Sequence, residues 1–374
     1  ETGSILSFQW FGCGSSDDYT SAFGNNFDGY TVIKDSQEYA LSFGGELTDE
    51  TLQQIVSDYQ QMEVDGMEEE LEKTDWQIVN SWLGTLYPEL RDTSNYKTMI
   101  SYVDPDKLTG FYERRQQVLD EFLEVSGQVG AEKEFLHQIE RKVEKPFHYE
   151  WVEGWSTLLG STVADLGVVM ALFLGIVLSS LFAGEWHDNT SALVLTTRNG
   201  WGKIALAKIL TGLAFTVELF ALLAVSSVIS QLFFMGTAGW DMPIQNIKLI
   251  AVAPMNMLQA EIYEYAFVLL GAIGFAGIVM FISAAVKNNV LTLLLSLAVV
   301  YGPMMIAEYL PYEMQKALDL IPLVGSSTDI FRTNTFRIFG KLIWSPYLLI
   351  TIPVLIGILC MPFAIKSWSR RMKA

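Results

Sequence analysis

Residue types that support catalysis are few in this chain and lie far apart. The three histidines, His137, His148 and His187, have no partner at metal-ligand spacing. The hydrolase pattern G-x-S-x-G and the zinc pattern H-E-x-x-H do not occur. The phosphate-binding pattern G-x-x-x-x-G-K-[ST] is also missing, since the nearest string, NGWGKI, lacks the first glycine and the hydroxyl residue. The sequence therefore predicts no catalytic residue, no metal site and no cofactor bound by this chain. If ATP drives the protein, another chain must bind it.

Two carboxylates lie within long apolar stretches, where charged side chains are rare because a charge in lipid costs free energy. Glu218 lies about ten residues beyond Lys208, which is roughly 15 Å along a helix. It either lines an intramembrane polar path for a substrate or forms an inter-helix hydrogen bond inside the bundle. Asp165 lies near the outer boundary of its stretch, either on the same path or at the membrane interface.

Five stretches are long and apolar enough to cross a bilayer core of about 30 Å, which takes roughly 20 helical residues. Gly271, Gly274 and Gly277 give the third stretch a small-residue surface that suits close packing between helices. The predicted fold is an α-helical polytopic membrane protein. Its five spans are expected near 163–184, 204–235, 262–286, 290–309 and 344–365.

Charge is divided unevenly along the 374-residue chain, of which 51% is hydrophobic. Residues 1–155 carry 31 acidic and 11 basic side chains, a net charge of −20. Residues 156–374 carry 11 acidic and 13 basic side chains, a net charge of +2. We therefore expect an acidic, mainly helical, solvated domain at 1–155 and a transmembrane domain at 156–374. The acidic balance argues against nucleic acid as a partner.

Lysine and arginine residues near the ends of the spans predict the orientation. They occur in the loop 185–203, in the turn 287–289 and in the C-terminal tail. Placing these regions inside makes residues 1–155 extracytoplasmic and the C-terminus cytoplasmic, in a multi-pass protein of the cell membrane. The loop 310–343 is also basic, but it is longer and its basic density is lower.

Two further expectations follow from this orientation. An exported domain needs a signal, so we expect another span before residue 1, with Ser4–Gly12 as its outer end and six spans in the full chain. The loop 310–343 is too apolar for a hydrophilic loop and too broken for a span. We therefore expect short helices there, resting in the outer membrane interface.

Periodicity within residues 1–155 predicts three helices. The first begins after Thr48, the second covers about 106–126 and the third about 131–144. A short strand pair is predicted at Tyr30–Lys34 and Tyr39–Phe43. Helical spacing predicts that the second helix packs through Leu108, Phe111, Val118, Phe122 and Val125.

The segment 180–208, SLFAGEWHDNTSALVLTTRNGWGKIALAK, carries the most recognisable pattern in the chain. It resembles the first internal loop of permease subunits of bacterial type-2 ABC transporters. That loop has a phenylalanine and a glutamate, a Gly/Asn-Thr pair, a leucine-rich stretch, a Ser/Thr-Thr pair and basic residues. The matching residues are Phe182, Glu185, Asn189, Thr190, Leu193, Leu195, Thr196, Thr197, Arg198, Lys203 and Lys208. The family often has Gly-Arg where this chain has Gly200-Trp201.

Segments 148–159 and 44–59 are similar to parts of Gram-positive members that have a large extracytoplasmic domain. The resemblance implies a permease, with export as the family's usual direction. It also implies a homo- or heterodimer with ATP-binding cassette ATPase subunits that bind ATP and Mg, surrounded by membrane lipid. A lever containing Glu185, Thr190, Arg198 and Lys203 would dock on the ATPase. Within it, Glu185 would bond backbone N–H groups or pair with Arg198 or Lys203.

Two other classes of function stay open from the residues alone. A membrane-anchored sensor or receptor would bind a peptide or other ligand with its extracytoplasmic domain, although this chain carries no cytoplasmic output domain. A membrane-embedded hydrolase would need paired catalytic residues at bilayer depth, where Glu218 is the clear candidate. A neighbouring ATPase gene would favour transport, and a neighbouring kinase gene would favour sensing.

Overall fold

The computed structural model of the chain describes residues 18–20, 26–28, 37–38, 44–67, 71, 76–92, 97–188, 190, 202–324 and 333–370. The chain divides into two compact units. The N-terminal unit consists of Glu1–Leu158 and Val228–Ala260, and the membrane unit consists of Leu159–Ser227 and Glu261–Ala374. The strand pair predicted at Tyr30–Lys34 and Tyr39–Phe43 and the segment Ser4–Gly12 lie outside the described residues.

Helices predominate in the N-terminal unit and are accompanied by short antiparallel strand pairs. The helices are α1 (Asp49–Val64), α2 (Gln77–Leu86), α3 (Phe111–Val125), α4 (Ala131–Glu140) and α5 (Glu153–Thr157). Strand β1 (Asp18–Thr20) pairs with β2 (Asn26–Asp28), and β3 (Gly45–Leu47) pairs with β4 (Phe147–Tyr149). Turns of 3-10 helix at Pro88–Leu90, Met99–Ser101 and Pro105–Lys107 lie between α2 and α3.

Thr48 caps α1, as predicted, because its side-chain oxygen accepts a hydrogen bond from the backbone N–H of Thr51. Asp49, in the first turn of α1, accepts hydrogen bonds from the start of a second helix, α3. Its carboxylate accepts hydrogen bonds of 2.7 and 2.9 Å from the backbone N–H groups of Gly110 and Phe111, where α3 begins. The first N–H groups of a helix have no partner within that helix. One carboxylate therefore joins the beginnings of α1 and α3.

The core face of α3 agrees only in part with the predicted face, since Leu108 and Phe111 are fully buried as predicted but the C-terminal half of the helix turns other residues inward. Phe111, Arg115, Leu119 and Leu123 are the buried residues of this helix. Of the residues predicted to be in the core, Val125 is 89% exposed and Phe122 is 37% exposed. Spacing of apolar residues gave the wrong face for the second half of α3, because a charged residue, Arg115, occupies one of the central positions of the buried face.

Arg115 is buried because the connection between the second and third spans folds into the N-terminal unit. Its guanidinium donates to the carbonyls of Leu249 and Ala251 at 2.7 and 3.1 Å. It also pairs with Glu140 of α4 at 2.6 Å. Nearby, the indole of Trp82 donates to the carbonyl of Asn246 at 2.8 Å. These bonds hold residues 244–251 against α2, α3 and α4, so this unit includes residues beyond the predicted boundary at 155.

The membrane unit contains five helices that are long and apolar enough to cross a membrane. They are α6 (Val163–His187), α7 (Lys203–Met235), α8 (Met257–Ala285), α9 (Asn289–Ile306) and α11 (Ser345–Arg370), and the ends of α7 and α8 extend into the N-terminal unit. This confirms the predicted α-helical polytopic fold. A five-residue turn of π-helix, Leu158–Thr162, precedes α6.

Glycines bring α8 and α11 into close contact, as the small-residue surface predicted. A Cβ atom placed on Gly274 would lie 2.3 Å from the carbonyl oxygen of Pro353, and one on Gly277 would lie 2.4 Å from that of Gly357. Both distances are below any allowed contact, so only glycine fits at these two positions. Backbone approach of this kind is a common basis of helix association in lipid.

The connection between α9 and α11 contains a helix and a strand pair. Helix α10 (Tyr312–Leu318) follows a 3-10 turn at Ala307–Tyr309. Strand β5 (Thr335–Ile338) pairs with β6 (Lys341–Trp344), which leads directly into α11. A short helix was predicted here, whereas the β5–β6 hairpin was not.

Candidate functional site

Four spans have their ends close together at one end of the membrane unit. The segment 180–208, which resembles a permease loop in sequence, begins there. The residues that join these spans are Phe182 and Glu185 on α6, Lys208 on α7, Ser283 on α8 and Trp368 on α11. We call these five residues the helix-end cluster. Phe182, Ser283 and Trp368 are fully buried.

Lys208 attaches α7 to α6 through an ion pair and a hydrogen bond. Its Nζ lies 2.5 Å from Glu185 Oε1 and donates to the carbonyl of Leu181, also at 2.5 Å. The Glu185 side chain is 21% exposed and that of Lys208 is 16% exposed. Shielding from water strengthens a charged pair, so this contact holds the beginning of α7 firmly to the end of α6.

The ammonium group of Lys208 also faces two aromatic rings. It lies 5.2 Å from the ring centroid of Phe182 and 5.4 Å from that of Trp368. The rings of Phe182 and Trp368 are themselves 5.6 Å apart. A cation near ring faces is attracted by the ring quadrupole. Lys208 therefore contacts α11 as well as α6.

Ser283 attaches α8 to the backbone of α6. Its hydroxyl donates to the carbonyl of Ser179 at 2.7 Å and accepts from the N–H groups of Phe182 and Ala183 at 3.0 and 3.1 Å. The hydroxyl is thus inserted where α6 would bond Ala183 to Ser179. A side chain that enters a helix ladder is a usual cause of local distortion. This contact couples the positions of α6 and α8 one turn before Glu185.

Glu185 and Trp186 each present a buried polar atom toward the end of α6. Glu185 Oε2 and Trp186 Nε1 have no hydrogen-bond partner among the residues that the structure describes. Buried polar atoms are normally paired. The Trp186 ring also lies under the ammonium of Lys287, 4.3 Å from its Nζ. An acceptor and a donor are therefore available where the chain leaves the last turn of α6.

The lever residues predicted from the sequence have different positions. Thr190 is exposed, and its backbone N–H donates to the carbonyl of Glu185 at 3.0 Å. Lys203 is exposed at the first position of α7. Arg198 lies outside the described residues. The ion pair of Glu185 is formed with Lys208, not with Lys203, because Lys208 lies more than one turn deeper in α7, level with the end of α6.

The two carboxylates predicted for a polar path are both exposed. Asp165 is on the first turn of α6, and Glu218 is near the middle of α7. The inter-helix hydrogen bond proposed for Glu218 is not formed with any described residue. Within the described chain, neither side chain lines an enclosed path.

Sequence reasoning missed a second polar group, because the third span was expected to begin at residue 262. Helix α8 begins at Met257, so Glu261 and Glu264 lie in its first turns and are 4% and 0% exposed. On the same helix, the hydroxyl of Tyr265 bonds Ser227 of α7 at 2.8 Å. The i, i+3, i+4 spacing of Glu261, Glu264 and Tyr265 is the signal that could have identified this group.

Five helices long and apolar enough to cross a membrane, four of them joined at one end by the helix-end cluster, define an α-helical multi-pass membrane protein. No protein-family model, no curated protein and no solved structure matches this chain.

Proposed function

We propose that this chain is the membrane-spanning permease subunit of an ABC transporter that exports its substrate. A separate ATP-binding cassette subunit hydrolyses ATP with Mg, and this chain has no nucleotide site of its own. In this proposal the protein lies in the cell membrane, with residues 1–155 extracytoplasmic and the C-terminus cytoplasmic. The helix-end cluster is then on the cytoplasmic side, where an ATPase would dock.

The observation that carries the proposal is the contact of Glu185 with Lys208. Both residues belong to the segment 180–208, whose sequence resembles the ATPase-contacting loop of type-2 permeases. With Ser283 and Trp368, it ties α6 to α7, α8 and α11. A displacement of the loop by an ATPase would therefore move four spans together. This arrangement suits a transporter, because anchoring alone requires no such connection between spans.

Glu218 supports a dimer. Only 17% of the most apolar stretch of α7 is buried, whereas 61% of the corresponding stretch of α8 is buried. Glu218 shares the open face of α7 with large apolar residues such as Leu210 and Leu222, which are 57% and 68% exposed. Apolar residues can face lipid, but a carboxylate there costs several kcal/mol. A second permease chain, identical or related, would cover α7 and shield Glu218.

The test is a reconstitution of the chain with the ATPase encoded by a neighbouring gene. Substrate flux and ATP hydrolysis are measured together in proteoliposomes. Glu185→Ala removes a charge-assisted bond worth roughly 1.5–3 kcal/mol, so flux per ATP should fall by about tenfold or more. Expression and insertion should be unchanged, because hydrophobicity sets the spans.

Glu308→Ala is the matched control, because it removes an exposed carboxylate from the 3-10 turn that follows α9, outside the helix-end cluster. Equal flux per ATP in wild type, Glu185→Ala and Lys208→Ala would contradict the proposed coupling. Failure of the chain to bind any ATPase would contradict the transporter function itself.

A further inference from the structure

The β5–β6 hairpin ends in a two-residue turn that carries an exposed aromatic ring. Its register pairs Ile338 with Lys341, so the turn consists of Phe339 and Gly340. Phe339 is 102% exposed, more than any other large apolar residue that the structure describes. We call residues 337–342 the hairpin tip.

Phe339 has an unfavourable backbone conformation. Its φ is 50° and that of Gly340 is 78°, which are the positive values that a type I′ turn needs. Asparagine, aspartate or glycine normally takes the first of these positions, because a bulky residue is strained there. The turn itself therefore does not explain a phenylalanine. A strained residue that the fold does not require indicates a contact with something outside the chain.

The base of the hairpin is fixed, which gives the tip a defined position. The backbone N–H of Ser345 donates to the carbonyl of Asn334 at 3.0 Å, and the Asn334 side chain accepts a hydrogen bond from the Tyr312 hydroxyl of α10. Lys316, also on α10, has its Nζ 5.3 Å from the ring centroid of Phe336. Helix α10 thus contacts the base of the hairpin and leaves the ring of the tip uncovered.

The hairpin adjoins a membrane-spanning helix. Strand β6 ends at Trp344, and α11 begins at the next residue. Tyr309 and Tyr347, at the two ends of the α9–α11 connection, are 85% and 62% exposed. Tyrosine and tryptophan at the ends of spans are typical of the membrane–water interface. Four strand residues extend about 13 Å, so the tip lies within reach of a headgroup layer that is roughly 5–8 Å thick.

The charge of the hairpin favours an anionic surface. Residues 335–344 include two basic residues and no acidic residue, although the whole chain has a net charge of −18. Arg337 and Lys341 are both exposed. They lie on opposite faces of the hairpin, because Arg337 is paired with Leu342 and Lys341 with Ile338. A basic group is therefore present on each side of the aromatic tip.

We propose that the hairpin tip inserts into the headgroup layer of a membrane that contains anionic lipid. The rings and aliphatic groups of Phe339, Ile338 and Leu342 contact the upper acyl chains. Arg337 and Lys341 extend toward the lipid phosphates, as long basic side chains do at an interface. Contact of the ring with lipid offsets the strain of the turn. This role does not depend on the proposed transport function, because it requires neither ATPase nor nucleotide.

The experiment places a photoreactive benzoylphenylalanine at position 339 of the full chain, in vesicles of equal amounts of phosphatidylcholine and phosphatidylglycerol. The probe keeps the aromatic side chain and cross-links to the groups that it contacts. Illumination should give lipid adducts, with phosphatidylglycerol in excess by about fivefold or more, because each basic residue strengthens attraction to an anionic surface by about that factor. The same probe at Ile358, 52% exposed within α11, should give the two adducts in equal amounts.

The double variant Arg337→Gln and Lys341→Gln keeps the probe and removes both charges, so the two lipid adducts should become nearly equal. Lys107→Gln, which removes an exposed lysine of the N-terminal unit, is the matched control and should keep the excess. Cross-links to protein alone, the absence of any adduct, equal lipid adducts without the charge changes, or an excess that persists in the double variant would each overturn the proposal. ATPase and nucleotide are absent, so such a failure leaves the transport proposal to its own test.

Discussion

Lys208 Nζ lies 2.5 Å from Glu185 Oε1, although the two residues belong to different membrane-spanning helices. Lys208 also bonds the carbonyl of Leu181, so its ammonium group contacts both a charged side chain and the backbone of α6. A carboxylate at the end of one span is thus paired with the second turn of the next span. Any force on the intervening loop would be transmitted through this contact.

The ion pair should show strong coupling in a double-mutant cycle. Glu185→Gln and Lys208→Met each leave one mostly buried charge without its partner, which should cost roughly 2–3 kcal/mol. The double variant should lose less than the sum, with an interaction energy of about 1 kcal/mol or more. The measurement is the apparent melting temperature in detergent. Additive effects would show that the pair contributes little.

Close packing of α8 on α11 predicts that alanine is poorly tolerated at Gly277. The added Cβ would lie 2.4 Å from the Gly357 carbonyl, and overpacking of this kind costs roughly 1–3 kcal/mol. Gly167→Ala in α6 is the matched control, because a Cβ there has open space around it. The apparent melting temperature should fall for Gly277→Ala and stay constant or rise for Gly167→Ala. A similar temperature for both variants would show that α8 and α11 pack less closely.

The buried pair of Arg115 and Glu140 predicts a pH dependence of stability. Burial alone would raise the pKa of Glu140, but hydrogen bonds from Lys145 and Arg115 outweigh it and lower the pKa below 4.5. A group with a lowered pKa in the folded state stabilises the fold above its unfolded pKa, and this stability is lost as the pH falls through the folded pKa. Wild-type protein should therefore lose stability below about pH 4.5.

Glu140→Gln isolates this contribution, because glutamine does not titrate. At pH 7 the variant should be less stable by roughly 3 kcal/mol, since Arg115 loses its charged partner in the core. The difference in melting temperature between the two proteins should shrink from pH 5 to pH 3. Glu121→Gln should follow the wild type throughout. A difference that is constant with pH would contradict the role given to Glu140.

The open face of α7, with the dimer proposed above, predicts a cross-link between two chains. In a background without cysteines and with a thiol oxidant added, Leu222→Cys should form a disulfide-linked species of about twice the mass when two copies of this chain meet through α7. For a related partner chain, a cysteine is introduced at the matching position of that chain as well. Ile358→Cys on α11 is the control, because it is similarly apolar and 52% exposed but lies on another span. Equal cross-linking of both variants, or none at Leu222, would count against a dimer through α7.

The five spans and several helices of the N-terminal unit could be predicted from the chain alone. Length and hydropathy are local properties, and a stretch of about 20 apolar residues has few alternatives in lipid. The start of α1 was likewise predicted, because a capping threonine and two acidic residues act within a single turn. Close packing around Gly274 and Gly277 was predicted from the small residues at helical spacing in this span.

Contacts between residues that are far apart in the sequence could be identified only from the folded structure. Lys208 rather than Lys203 pairs with Glu185, because the vertical alignment of two helices selects the partner. Arg115 can lie in the core face of α3 because other elements supply its partners. These partners are Glu140 of α4 and carbonyls of the α7–α8 connection. Periodicity counts apolar residues along one element, whereas a buried charge is stabilised by partners that the element itself does not contain.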